Sequence, residues 1–295
     1  MSELSISTRL SRPLTGALWM VVAGGAFAFA NVAMQWVTMN LQMSSPSATF
    51  WQYFISLIFM VPVIWRLGLR SLKTERPGLH LFRVVLAALG VQFWVAGLAN
   101  SVPIWQAIAL VMTSPFFVTI GAALLLGEKA NAARWGATVI GFVGGMVILS
   151  PWDEGFRAAA LLPVIAAVLW GASILCMKKL EEDETPQSVT LYLLLFMAPI
   201  NLVLAAGSGF EVPSSFDMWW MLVVAGLLGA LANISLAMAY ERADAAFLQP
   251  FDHLKLLLNV FCGFVFFAWV PPGNLWIGAL LIVGASMFIL RDETR

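Results

Sequence analysis

From Leu14 to Leu290 the chain is a succession of apolar stretches, each about as long as the ~20 residues a helix needs to cross the hydrocarbon core of a bilayer. They run over Leu14–Val37, Ser47–Trp65, Leu79–Ala99, Pro103–Leu126, Ala132–Leu149, Phe156–Met177, Gln187–Ala206, Met218–Tyr240, Ala245–Ala268 and Leu275–Leu290. No stretch is left over for a soluble domain. The first follows Arg9 and Arg12 as a secretory signal would, but its apolar run is too long for one, so it is read as an uncleaved span. Only 11% of the residues are charged, against about 25% in soluble domains. The expectation is an all-α integral membrane protein of ten transmembrane helices.

Basic residues set the orientation, because cytoplasmic connections collect them. With the N-terminus inside, all of the 16 Lys and Arg residues except Arg157 and Lys255 fall on the cytoplasmic side. An odd number of spans would scramble that alternation. Both termini are therefore expected in the cytoplasm, which disfavours a seven-helix receptor. Trp19, Trp65, Trp135, Trp152, Trp219, Trp220, Trp269 and Trp276 gather near span ends as an interfacial belt. The 16 basic and 16 acidic residues balance, so no net field favours nucleic acid. Cys176 and Cys262 lie within apolar runs and read as small core hydrophobes, with neither disulfide nor metal implied.

Matches recur between the halves at an offset of about 140 residues. Pro46 and Pro186 open spans two and seven. Phe29-Ala30 corresponds to Trp170-Gly171, and Trp135 with Ile148-Leu149 to Trp276 with Ile289-Leu290. Ser114-Pro115 and Gln249-Pro250 interrupt spans four and nine. Each half holds an odd number of spans, so the second copy crosses in the opposite sense. Residues 1–150 and 151–295 are thus expected to form inverted repeats of one transmembrane domain, an architecture of secondary transporters.

Gly127-Glu128-Lys129, Arg134-Trp135-Gly136 and the run Gly141-Phe142-Val143-Gly144-Gly145-Met146 resemble the end of the fourth span and the fifth span of EamA-type members of the drug/metabolite transporter superfamily. Gln249-Pro250-Phe251-Asp252 is similar to the second copy. The likeness covers the whole chain, with one departure: Ala268-Trp269-Val270 stands where a second Gly-Glu pair is common. Within the superfamily the chain is most similar to YddG-like aromatic amino-acid exporters. The resemblance implies a carrier in the bacterial inner (cytoplasmic) membrane that exports small organic solutes, most plausibly neutral or aromatic amino acids. Other metabolites or drugs moved by proton antiport are the alternative.

Ionisable side chains within spans are costly unless paired or hydrated. In the ninth span Gln249, Asp252, Lys255 and Asn259 fall on one broad helical face with His253 beside it. Asp252, His253 and Lys255 are the candidates for coupling to protons. A self-neutralised Asp252–Lys255 pair, or Lys255 reaching for the interface, is the structural reading. His80, near Arg83, is read as a residue of the cytoplasmic interface.

Neutral groups are the candidates for solute contact: Asn31, Gln92, Trp105, Gln106, Trp170, Asn233 and Gln249. Asn31 and Gln35 share a face of span one, as Gln106 and Thr113 do in span four. Amides in the hydrocarbon also serve as glue between helices. Trp170, near the middle of span six, either lines a central cavity or packs. Trp94 and Trp105 stand toward the outer side. Pro115 and Pro250 are matched interruptions and mark the expected hinge. Gly141-x-x-x-Gly145 permits a close helix contact within one protomer or across a homodimer.

No Walker loop, His-Glu-x-x-His or Gly-x-Ser-x-Gly motif occurs in the sequence. The expected partners are a small-molecule solute and membrane lipid, with no cofactor. An intramembrane enzyme built on Asp252 and His253 is the reading from another class.

Overall fold

The computed structural model describes residues 12–67, 74–125, 132–180, 184, 186–242, 251 and 254–293. Among these residues there is no β-strand. Backbone polar groups in hydrocarbon must be satisfied within the protein, and helices do so segment by segment. Helix α1 (Arg12–Gln35) runs on into a π-helical turn at Trp36–Asn40, and α2 (Ser45–Leu67) and α3 (Pro77–Ala99) follow. Then come α4 (Ile104–Val111), α5 (Ser114–Leu125), α6 (Ala132–Leu149), α7 (Leu161–Leu180), α8 (Pro186–Gly207) and α9 (Phe216–Arg242). Helices α10 (Leu254–Phe267) and α11 (Gly273–Glu293) complete the chain.

Among the described residues, five helical stretches are long and apolar enough to cross a membrane: Leu14–Asn40, Pro77–Ala99, Ile104–Gly121, Ala158–Met177 and Phe216–Leu236. Trp135–Leu149, Tyr192–Gly207, Leu254–Phe267 and Gly273–Ala285 are shorter apolar helices. The protein is an all-helical, multi-pass membrane protein. Its outward surface is apolar, as at Leu124, Val203 and Leu280, where a bilayer rather than water is the compatible solvent. Trp65 and Trp152 project at span ends, in keeping with the expected belt.

The fourth apolar stretch is broken in two. Helix α4 ends at Val111, a turn occupies Met112 and Thr113, and Pro115 is the second residue of α5. Proline has no backbone N–H to donate to the carbonyl four residues back, so a continuous helix would lose a bond at this point. The break therefore falls just before the Ser114-Pro115 pair that foretold it. The corresponding Gln249-Pro250 lies outside the described residues, as do Asp252 and His253.

At the end of the bundle that the sequence assigns to the outside, helices close with left-handed residues: Gln42 (φ 59°), Ser101 (φ 60°), Ser150 (φ 45°) and Ala268 (φ 54°). At the last of these, Ala268 N–H donates to Phe264 O and Trp269 N–H to Gly263 O, capping carbonyls that α10 leaves free.

Helix packing couples the first five apolar stretches to the last five. Helix α1 lies on α9, and α3 on α7; α2 touches α9, and α3 touches α8; α1 meets α10, and α5 meets α7. Along the middle, α6 packs on α11, α2 on α8 and α4 on α10. These interfaces are built from small, fully buried residues such as Ala28, Ala88, Ala166 and Ala225, which let helix backbones approach.

Candidate functional site

Two of the amides singled out in the sequence, Asn31 and Gln92, meet other amides across helix interfaces. Asn31 Nδ2 on α1 donates to Asn259 Oδ1 on α10 at 3.1 Å, and Asn259 Nδ2 donates to Lys255 O at 2.7 Å. Gln92 Nε2 on α3 donates to Asn201 Oδ1 on α8 at 2.7 Å. Gln35 is fully buried and its Nε2 reaches the α3–α4 turn, donating to Leu98 O at 3.2 Å and Val102 O at 3.0 Å. Asn31 and Gln35 thus share a face yet serve different neighbours. Asn233 Nδ2 donates back along its own helix, to Gly229 O at 2.8 Å. Lys255 lies over Gly24 of α1, where a β-carbon would sit 3.6 Å from Lys255 Cβ.

Trp170 is held by packing. Its Nε1 donates to Ala87 O at 3.2 Å, and a β-carbon on Gly90 would lie 2.6 Å from that nitrogen. Gly90 is therefore the seat of the indole: any side chain there would displace it. Trp94 stands 6.1 Å from Trp170, centroid to centroid. Helix α7 also meets the break region: Ser114 and Phe117 of α5 pack against Gly171. Among the described residues, Ser114 Oγ is buried there without a hydrogen-bond partner.

Trp105 and Gln106 border a cavity of about 170 Å³ at the expected outer end, together with Ser150, Asp153, Arg157 and Asn274. Gln106 Nε2 donates to Ile148 O at 3.3 Å. Asn274 Nδ2 donates to Ser150 Oγ at 2.9 Å, tying the start of α11 to the end of α6. Among the described residues, Trp105 Nε1 and Asn274 Oδ1 are buried without a hydrogen-bond partner. A second tie at the same end uses Glu211, whose carboxylate accepts from Ser44 N–H at 3.0 Å and whose N–H donates to Ser47 Oγ at 3.0 Å.

The opposite end holds a cluster that the sequence did not single out for function. His80 is fully buried, with Nε2 2.7 Å from Glu184 Oε2, and its ring lies 4.3 Å from that of Tyr192. Thr74 Oγ1 donates to the other Glu184 oxygen. Arg83 Nη1 donates to Val189 O at 2.9 Å. A lone histidine beside a basic residue gave no hint of a carboxylate 104 residues away. An imidazole buried at a span end is itself the signal that a partner must exist.

The EamA-like transporter family's sequence pattern matches the chain twice, over residues 14–150 and 157–291. The chain belongs to that family. It is 54% identical over 295 residues to a riboflavin transporter of Rhizobium johnstonii, covering 100% of this chain and 97% of the relative. A riboflavin transporter of Vibrio cholerae is 48% identical, over 96% of this chain and 95% of its own. A crystal structure only 17% identical in sequence superposes with a TM-score of 0.64 over 96% of this chain and 99% of that one, so the fold is shared. This EamA-like protein is a membrane transporter rather than an enzyme. The amino-acid solute expected from the sequence finds no support among these relatives.

Of the expected solute contacts, the transporter's fold brings Trp105 and Gln106 to one cavity, engages Asn31 and Gln92 with partner amides, and holds Trp170 on Gly90. Gln249 lies outside the described residues.

Proposed function

We propose that this transporter moves a flavin, with riboflavin as the test solute, across the inner membrane. The carrying observation is the end-to-end 54% identity with a protein named for riboflavin transport. A vitamin with a wide planar ring and a hydroxylated chain suits a carrier whose interior is rich in tryptophan and amides and poor in charge. The outward direction and the amino-acid solute read from the sequence give way to an assay that measures both senses of movement.

The proposed mechanism is alternating access between two five-helix halves of opposite topology, with ten spans and both termini cytoplasmic. Supporting it are the double family match and the exchange of packing partners between halves: α1 on α9 answers α3 on α7, and α6–α11 pair like with like. The break before Pro115 is one hinge of the pair, with Pro250 as its counterpart. Asp252, His253 and Lys255 are the proposed coupling groups.

The test is purified protein in liposomes, assayed for saturable flux of labelled riboflavin with and without a pH gradient, against a panel of amino acids. Saturable flux competed by other flavins and indifferent to amino acids is expected. Amino-acid flux without riboflavin flux would overturn the flavin reading. Asp252→Asn reads the coupling: it should abolish gradient-driven accumulation while sparing exchange. Unaltered accumulation removes Asp252 from that role.

A further inference from the structure

Hydrogen-bonded ties cross between the two copies of the family pattern at both ends of the bundle. At the expected outer end Glu211, in the α8–α9 connection, engages the first copy through three groups. Its carboxylate accepts from Ser44 N–H at 3.0 Å, its N–H donates to Ser47 Oγ at 3.0 Å, and its carbonyl accepts from Trp51 Nε1 at 3.0 Å. Ser44 Oγ donates to Ser47 Oγ at 2.9 Å, and Trp51 packs edge-on against Trp219 of α9 at 4.9 Å. At the opposite end Glu184, in the α7–α8 connection, accepts from Thr74 Oγ1 and stands 2.7 Å from His80 Nε2. Beside it Arg76 Nη1 donates to Lys179 O at 3.1 Å.

The two ties are counterparts. Ser44 stands two residues before Pro46, in the connection that leads into α2, and Glu184 stands two residues before Pro186, in the connection that leads into α8. Glu211 lies between α8 and α9, and Thr74 between α2 and α3. Exchanging one copy of the repeat for the other therefore turns the contact of the α1–α2 and α8–α9 connections into that of the α7–α8 and α2–α3 connections. In a repeat whose copies cross the membrane in opposite senses, the same exchange carries the contact to the other end of the bundle, where the second tie lies. Each tie is built around a carboxylate of the second copy. Polar bonds at a bundle end, unlike apolar helix packing, can be traded for bonds to water when that end opens, so they part at little net cost.

We propose that these ties are a matched pair of gates, the Glu211 tie shutting the expected outer end and the Glu184 tie the other, with both engaged in this structure. The inference rests on the alternating-access reading. In alternation one tie parts while the other holds, so the two are coupled with opposite sign. Loss of either favours the state open at its own end and shut at the other. Two braces would instead act independently, and the loss of either would only loosen the protein.

The experiment uses the full-length transporter in liposomes, with Cys176→Ala and Cys262→Ala as background, and reads the outer end through Met43→Cys. Met43 adjoins Ser44 and is 3% exposed, so a thiol there is shielded while the outer tie holds. A charged, membrane-impermeant maleimide present on both faces labels it when that end opens, whatever the orientation of the protein. Glu211→Ala should be labelled about fivefold faster and Glu184→Ala about fivefold slower, the scale of one net hydrogen bond. Faster labelling in both, or an unchanged rate in either, overturns the proposal. If Glu184→Ala does not fold, Glu184→Gln decides: slower labelling by a smaller factor is expected, and an unchanged or faster rate overturns the gates. Labelling does not depend on the solute, so the two readings fail separately. Opposite shifts without riboflavin flux uphold the gates and overturn the flavin reading; riboflavin flux without opposite shifts overturns the gates alone.

Discussion

A β-carbon on Gly144 of α6 would lie 2.7 Å from the carbonyl oxygen of Gly278 on α11, and one on Gly278 would lie 2.6 Å from that of Gly144. The two helices therefore cross backbone to backbone at a point where neither side tolerates a methyl group. Lipid tails are as apolar as leucine, so in a bilayer such close van der Waals packing replaces the hydrophobic drive between helices. This crossing ties α6 to α11.

Gly278→Ala should destabilise the protein by about 2 kcal/mol, since a β-carbon there also meets Ile148 Cγ1 at 2.4 Å and the helices must part. Gly136→Ala, where nothing lies within 4 Å, should be neutral or slightly stabilising. Thermal unfolding in detergent checks both; equal midpoints for the two variants would show that the crossing is plastic.

The sequence pointed to one close-packed face of this helix and not to the other. Gly141 and Gly145 match the small-residue pattern, yet in the structure Gly141 receives the ring of Phe116 and Gly145 the methyl of Thr113, both at the broken fourth span. Gly144, one residue from Gly145 and so about 100° around the helix, makes the contact with α11. Spacing shows which residues are small; only the tertiary arrangement shows which neighbour each admits. The same holds for the amides. Asn31 and Gln92 were legible as polar residues needing partners, but Asn259 and Asn201 stand 228 and 109 residues away and no local rule reaches them. The apolar stretches themselves were legible because bilayer thickness imposes a length on each. The break near Pro115 was legible because proline acts on the residue four before it.

Trp170→Ala should cost about 3–5 kcal/mol, because it empties the space over Gly90 and leaves a void among Trp94, Ala87 and the indole's former neighbours. Trp170→Phe should cost about 1 kcal/mol for the lost bond to Ala87 O, with riboflavin affinity retained. Binding measured by flavin fluorescence, beside thermal unfolding, separates the outcomes: affinity lost from a stable Trp170→Phe protein would show that the ring touches solute.

Ala268 holds φ 54° at the end of α10, where glycine is the usual residue. A side chain in this region costs about 1 kcal/mol, and Ala268→Gly relieves it while keeping the capping bonds to Phe264 O and Gly263 O. The variant should be more stable by about that amount, less the greater chain freedom that glycine gives the unfolded state. A lower midpoint would mean that chain freedom outweighs the relief at this cap.

His80 and Glu184 join the start of α3 to the connection between α7 and α8, so their contact bridges the halves at the end opposite the cavity. The imidazole is fully buried, and removing its partner leaves a polar ring with no water to replace it. Glu184→Ala should therefore cost about 2–3 kcal/mol, and Glu184→Gln, which keeps one oxygen for His80 and turns an amide N–H toward the Thr74 hydroxyl, about 1 kcal/mol or less. A transporter that alternates must break one end's ties as it forms the other's, and weakening this tie favours the conformation open at that end. Glu184→Gln should then lower riboflavin KM from the His80 side while leaving stability nearly intact, measured as flux into vesicles of opposite orientation. Equal KM values for wild type and variant on that side would make the contact a structural brace and nothing more.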